Sequence, residues 1–433
     1  MRKDLQFLLC FIAISCMAVT CKKQSAALPV VPDNNNLVNL SHLDYLYTPL
    51  TFLTGTKAAG IFIYAEAPDY RLVTDADEGF TCVDDVARAV QVYVRSPRFD
   101  SDTSVRNKVF NLIRFVLEMQ SDNGYFYNFI FPDLSINKNG ITSRNEPNWW
   151  SWRALYTLTE TSPLIRIKDA QLADEMEAAI SKLITKIKTD LAPIPKTTKI
   201  VTGITVPEWL PAGSGTDQAA ILILGLIPKA GNDPVLTAYI KKLADGIVLM
   251  QQGDATHFPY SCILSWENTW HAYASEQAFA LMKAGAFLNT PTYSEKGMAE
   301  VDNFYPWLLK NGMKSSFVFE KNGNEIRLTS EKTYEQIAYG IRPMFSAAVE
   351  AYRLTKNEKY ADIAGQLAAW FLGANAANKI MYNVATGRCF DGIESSNNVN
   401  INSGAESTIE ALFTMQIAEN YPSVITALNK YKR

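Results

Sequence analysis

The stretch Thr216-Asp217-Gln218-Ala219-Ala220-Ile221-Leu222-Ile223-Leu224-Gly225-Leu226-Ile227 decides the fold. After its first three residues it is apolar on every side of a helical wheel, as expected of a helix buried nearly all round. The segment before it behaves differently. Leu172, Met176, Ala179, Ile180, Leu183, Ile184 and Ile187 make one stripe, with Asp174, Glu177, Ser181 and Lys188 off it. That helix therefore covers something on one face only. Working outward, the same alternation recurs along the chain. Segments 82–94, 149–160, 216–227, 269–284, 334–354 and 405–420 read as buried inner helices, and 105–120, 172–191, 236–251, 293–311 and 360–372 as amphipathic outer partners. A sixth outer helix comes either from 37–50 or from the tail after Pro422.

Short connections lead from inner to outer helices, and long ones rich in Gly, Pro, Asn and Trp lead back. The pattern predicts an all-α single domain over 39–433. Its architecture is an (α/α)6 toroid of six helical hairpins, with small β-hairpin decorations on the long-loop face. Phe317–Glu320 and Glu325–Leu328 flank Asn322-Gly323 as one such hairpin, and Gly124–Phe131 followed by Asn139-Gly140 predicts another. Every elaborate loop then falls on one face, and loops on a rigid scaffold are where binding and chemistry concentrate.

Of 433 residues, 48% are hydrophobic and 20% charged, ample for a large core, and a net charge of -3 argues against nucleic acid as a partner. Arg2 and Lys3 precede an apolar run from Leu5 to Thr20, a secretory signal in form. Ala18-Val19-Thr20-Cys21 resembles a lipobox, so residues 1–21 are expected to be a lipoprotein signal peptide with Cys21 lipidated. Residues 22–38, with Pro29, Pro32 and Asn34-Asn35-Asn36, read as a flexible tether. The chain is expected to be exported and anchored to the membrane at a bacterial cell envelope. Cys82, Cys262 and Cys389 remain after the signal. They form no Cys-x-x-Cys pair and read as free buried thiols.

The long loops deliver acids to the N-termini of the inner helices: Asp84, Asp85, Glu146, Asp217, Glu335 and Glu406. Two carboxyls from separate elements can hold different protonation states, as general acid/base cleavage of a glycosidic bond requires. Asp84, Asp85, Glu335 and Glu406 are the catalytic candidates. Helix capping is the competing explanation, because Thr81-x-x-Asp84, Ser214-x-x-Asp217, Thr333-x-x-Gln336 and Ser403-x-x-Glu406 all have capping-box spacing. Arg88, Arg153 and Arg342 lie within inner helices, where an ion pair such as Asp84–Arg88 competes with binding of a substrate carboxylate. Trp149, Trp150, Trp209, Trp266 and Trp270 are candidate platforms for sugar faces. His271, Tyr334, Glu146 and Asp391 complete the candidate binding set. There is no Gly-x-Ser-x-Gly elbow, P-loop or His-Glu-x-x-His segment, and His42, His257 and His271 are the only histidines. No cofactor or metal is implied.

Thr81-Cys82-Val83-Asp84-Asp85-Val86-Ala87-Arg88-Ala89 and Asn400-Ile401-Asn402-Ser403-Gly404-Ala405-Glu406-Ser407-Thr408 resemble segments of a group of bacterial six-hairpin proteins. These are relatives of (α/α)6 glycosidases, some of them joined to glycosyltransferase domains. Met381-Tyr382, Thr386-Gly387 and Asp391-Gly392 fit the same pattern. The similarity covers most of residues 40–420 and carries over onto Asp84, Asp85, Arg88 and Glu406. It implies carbohydrate chemistry, with hydrolysis, lyase and epimerase reactions all represented in the superfamily. The expectation is an envelope-anchored glycoside hydrolase acting on an oligo- or polysaccharide. The alternatives are a polysaccharide lyase or uronic-acid enzyme, and a non-catalytic glycan-binding lipoprotein.

Overall fold

The computed structural model describes residues 36–433. The expected signal segment 1–21, its Cys21 and most of the tether lie outside the described residues. The tether is shorter than expected at its C-terminal end. The amides of Leu37 and Val38 donate to Glu419 Oε1 at 2.5 and 3.2 Å, so these residues already belong to the folded body.

Six inner helices, Val83–Arg95, Trp149–Lys168, Thr216–Ala230, Gln277–Phe287, Arg342–Thr355 and Ala405–Glu419, follow one another around a ring. Each packs on the next, and the sixth packs back on the first. Their outer partners are Thr103–Glu118, Ala170–Asp190, Pro234–Leu249, Pro291–Ala299, Glu358–Ala369 and Pro422–Tyr431, the fourth continuing through a π-helical turn at Glu300–Phe304 into Tyr305–Lys310. This is the (α/α)6 toroid. The inner helices are apolar all round because neighbours flank them on both sides and an outer helix lies behind. Leu172, Met176, Ile180, Leu183 and Ile187 are buried as the stripe required.

The tail after Pro422 supplies the sixth outer helix. Segment 37–50 holds only the short helix Ser41–Leu46, which runs straight into the strand Tyr47–Thr51. Pro49 and its β-branched neighbours favour extended backbone there. Two inner helices begin later than the apolar pattern indicates. Thr269–His271 is a strand paired with Ser316–Asn322, and Ala274 adopts φ 52° before the fourth helix starts at Gln277. Gln336 exchanges backbone hydrogen bonds with Ile393, which holds 336 extended and delays the fifth helix to Arg342.

The decorations are antiparallel and sit on the long-loop side. Ser316–Asn322 and Glu325–Lys332 form the expected hairpin across Asn322↔Glu325, with Thr269–His271 as a third strand. The second expected hairpin is different: Phe129–Ile130 pairs with Thr81–Cys82 immediately before the first inner helix, tying that loop to the ring mouth.

The sixth outer helix sits very close to the fifth. A Cβ at Gly365 would come within 2.3 Å of Ala427 Cβ and 2.6 Å of the Leu428 amide. Alanine is the better helix former by about 1 kcal/mol, but overpacking costs about 1–3 kcal/mol. Gly365→Ala should therefore lower stability in urea titrations. An unchanged or raised midpoint would mean that Pro422–Tyr431 does not close the ring as described.

Candidate active site

Three arginines from three inner helices meet on the ring axis around one tyrosine. The guanidinium carbons of Arg88, Arg153 and Arg342 stand 4.7, 5.0 and 5.2 Å from the centroid of Tyr339, which is fully buried. Carboxylates neutralise them. Arg88 donates to Asp85 Oδ1 at 2.7 Å, Glu410 Oε1 at 2.8 Å and Glu406 Oε2 at 3.3 Å. Arg153 pairs with Asp84 Oδ2 at 2.5 Å. Arg342 holds Glu410 Oε2 at 2.5 Å and also pairs with Glu276. The helix register explains the gathering: Asp84, Asp85 and Arg88 share one turn, and Glu406 and Glu410 are one turn apart on the sixth helix.

Above this layer, on the long-loop side, opens a cavity of about 440 Å³. Asp84, Asp85, Glu406, Asp391, Trp149 and Tyr273 are among its lining residues. Glu406 is the most accessible acid of the network, its side chain 32% exposed against 16% for Asp84 and 5% for Asp85. Tyr273 links Glu406 to Arg153: its hydroxyl donates to Glu406 Oε2 at 3.5 Å and accepts from Arg153 Nη2 at 3.4 Å. Because one Arg88 nitrogen contacts both Asp85 and Glu406, their nearest oxygens are no more than about 6 Å apart, the sum of those two legs. Asp84 lines the same cavity and is linked to Glu406 through Arg153 and the Tyr273 hydroxyl.

The protonation environments differ. Burial pushes the Glu406 carboxyl up to about 7, reinforced by Asp85 and Glu410 and opposed by Arg88. Burial also raises Asp85, against the pull of Arg88. Burial alone would raise Glu410, yet Arg342 and Arg88 hold it below the ordinary glutamate value. Asp391 is raised by burial and accepts from the Gly404 amide at 2.8 Å and Ser407 Oγ at 2.6 Å.

The Ser and Thr of the capping-box spacings do not cap these helices, although Asp217 Oδ1 accepts from the first-turn amide of Gln218 at 2.6 Å. Cys82 is the N-cap of the first inner helix, its Sγ accepting from the Asp85 amide at 3.4 Å, while Thr81 Oγ1 serves the Ile61 amide at 2.9 Å. Gly215 and Gly404 occupy the N-cap positions before Asp217 and Glu406, with no side-chain cap. The box at Thr333 does not begin a helix.

The other sequence candidates separate into three groups. Arg88, Trp149, Trp150 and Asp391 line the cavity, with Trp150 Nε1 tied to the carbonyls of Phe126 and Arg144. Glu335 does not: the extended 336–393 pairing carries it off the ring wall, where it is exposed and borders a different hollow. Tyr334 leaves with it. Glu146 is exposed near Arg144. Trp270 is fully buried against Phe304 and Phe317, and Trp209 is buried with its Nε1 donating to Lys242 O. Trp266 is 44% exposed, its Nε1 donating to Ala212 O. These three rings lie outside the cavity lining. His271 contacts Asp217 Oδ2 through Nε2 at 3.0 Å and Tyr273 O through Nδ1 at 2.9 Å. Burial lowers its pKa, but the Asp217 contact outweighs that and leaves it raised. With both ring nitrogens occupied it offers no free base. His42 is buried on Ser403 O, and His257 is exposed beside Asp254. Cys82, Cys262 and Cys389 are free and buried.

Tyr273, Tyr339, Glu276 and Glu410 complete the site without having been candidates for it. Glu410 carried a usable signal, since it stands four residues after Glu406 on a helix otherwise apolar. Tyr273 and Tyr339 carried none, because both sit in segments expected to be plain inner helix.

No described protein family matches the sequence, and no curated protein does. Solved structures match over nearly the whole chain. Cellobiose 2-epimerase from Bacillus thermoamylovorans aligns at TM-score 0.60 and 11% identity, over 90% of this chain and 97% of the other. A GH76 α-mannanase from Bacteroides thetaiotaomicron gives 0.51 and 10%, over 80% and 88%. A D-mannose isomerase gives 0.54 and 13%, over 82% and 91%. At these identities the likeness establishes the shared (α/α)6 fold.

Glutamine at 406 mimics the protonated acid. Since the folded-state pKa of Glu406 is raised, holding it ionised costs stability above pH 7 and nothing well below the unfolded value. Glu406→Gln should therefore raise the urea midpoint at pH 8 and leave it nearly unchanged at pH 4. An equal shift at both pH values would contradict the buried environment described for this carboxyl.

Proposed function

We propose that the protein is an envelope-anchored glycoside hydrolase in which Glu406 is the general acid and Asp84 its carboxylate partner. The observation that carries this is the pairing, in one cavity, of an accessible acid pushed up to about 7 with an aspartate held by Arg153. Acid/base division of labour requires carboxyls in different settings, and Glu406 is raised by burial while Asp84 is ion-paired to Arg153. In the step envisaged, Glu406 donates its proton to the glycosidic oxygen as the bond to the anomeric carbon breaks. Water adds to that carbon, and Asp84 takes the water's proton. Asp84 Oδ1 makes no hydrogen bond within the protein, which leaves it an unused acceptor. Asp85 is a positioning residue that fixes Arg88. Trp149 offers a half-buried ring at the cavity wall for a sugar face.

The fold likeness to cellobiose 2-epimerase and D-mannose isomerase supports a second reading, sugar epimerisation or isomerisation. The hydrolytic reading is preferred because the cavity lining offers carboxyls from separate helices, Asp84 on the first inner helix and Glu406 on the sixth. A lyase is less well supported, since His271 is doubly bonded and Tyr334 lies elsewhere.

Purified protein should convert a glycan into products one water heavier by mass spectrometry, and an unchanged mass would assign epimerisation or isomerisation instead. The kcat/KM profile should fall on the alkaline side near pH 7 as Glu406 ionises. Glu406→Gln should lose about 10²–10⁴-fold in kcat, whereas Glu335→Gln should keep the wild-type rate. Full activity in Glu406→Gln would remove this carboxyl from the mechanism. Export and anchoring rest on the sequence of residues 1–21. The mature protein should begin at a Cys21 carrying diacylglycerol, and a mature N-terminus elsewhere would dismiss the anchor.

A further inference from the structure

The cavity has a floor. Arg88 and Arg153 border it from below and also border a second hollow of about 320 Å³ on the short-loop side of the ring. Tyr339 stands between them, so the axis is interrupted by one layer of guanidinium and phenol rather than open from face to face. At about 440 Å³ the upper cavity lies toward the small end of the ~300–1,000 Å³ typical of ligand pockets. That is room for roughly one or two sugar units, not for a polymer lying across it.

The floor also sets the charge. Glu78, Asp84, Asp85, Asp391 and Glu406 line the cavity against only Arg88 and Arg153. Each of these arginines is already held by at least one carboxylate of the chain. The next ionic residues behind the floor are Glu276, Glu410 and Arg342, again with acids in excess. Protonating Glu406 still leaves the acids in the majority. A sugar carboxylate entering here would meet repulsion and no uncommitted cation. The walls meanwhile suit hydroxyls and an apolar sugar face: Asn128, Thr142 and Tyr64 are polar, and Trp149 and Trp150 are aromatic.

We infer that the cavity is a blind pocket for the terminal unit of a glycan without carboxylate groups, so that the protein acts from chain ends on neutral glycans. This rests on the hydrolytic assignment for its action, but the binding it specifies can be measured without turnover. Calorimetric titration of the Glu406→Gln protein with size ladders of gluco-, manno-, galacto- and xylo-oligosaccharides, and of oligogalacturonate, tests it. One neutral ladder should bind, with affinity rising over the first two or three units and then flat. Oligogalacturonate at low salt should bind at least about tenfold more weakly. Affinity that keeps climbing to six units, tighter binding of oligogalacturonate, or binding of no ladder would each overturn the inference. Should the bound neutral ladder pass through wild-type protein uncut, hydrolysis is excluded while the pocket assignment stands.

Discussion

Arg88 ties the first inner helix to the sixth and gathers the acids of the cavity. Its guanidinium reaches across from the first inner helix to Glu406 and Glu410 on the sixth, 318 and 322 positions away in sequence. Ring closure and assembly of the acids are thus one event. Charges buried this deeply are costly to desolvate, and their mutual attraction only just offsets that cost. Removing one partner from such a set forfeits about 3–5 kcal/mol, because the other is left unpaired. Packed aliphatic residues would close the ring equally well, so the ionic centre points to chemistry rather than stability.

The same layer divides the acids by environment. Glu410, fully buried between two arginines, is kept below its ordinary value, whereas Glu406, one turn nearer the mouth, is raised to about 7. One helical turn separates a carboxylate held ionised by two arginines from one raised by burial. Asp84 and Asp85 make a similar pair on adjacent residues: one faces Arg153 from the cavity wall, the other is sealed against Arg88 and the Cys82 thiol.

The hairpin order was legible because burial on all sides and burial on one side write different periodicities. Where the sequence misled, local hydrogen bonding outweighed that pattern. Trp270 and His271 are apolar or aromatic enough to pass for helix, yet strand pairing with Phe317 and Ser316 claims their backbone. Glu335 sat at a plausible helix start until the exchange between Gln336 and Ile393 pulled that segment straight. Asp84, Asp85 and Glu406 meet at one cavity because they stand in the first turns of helices whose starts were legible. Tyr339 was invisible: nothing in a lone tyrosine announces that three arginines converge on it.

The cavity is assembled from elements far apart in the chain. The first inner helix carries Arg88, Asp84 and Asp85, while the partner acids stand on Ala405–Glu419, Glu406 lying 318 positions after Arg88. Without that helix, Arg88 has no Glu406 or Glu410 to meet, and the floor of the bowl does not exist. A chain lacking Ala405–Glu419 therefore cannot assemble this cavity, whatever the state of its first helix.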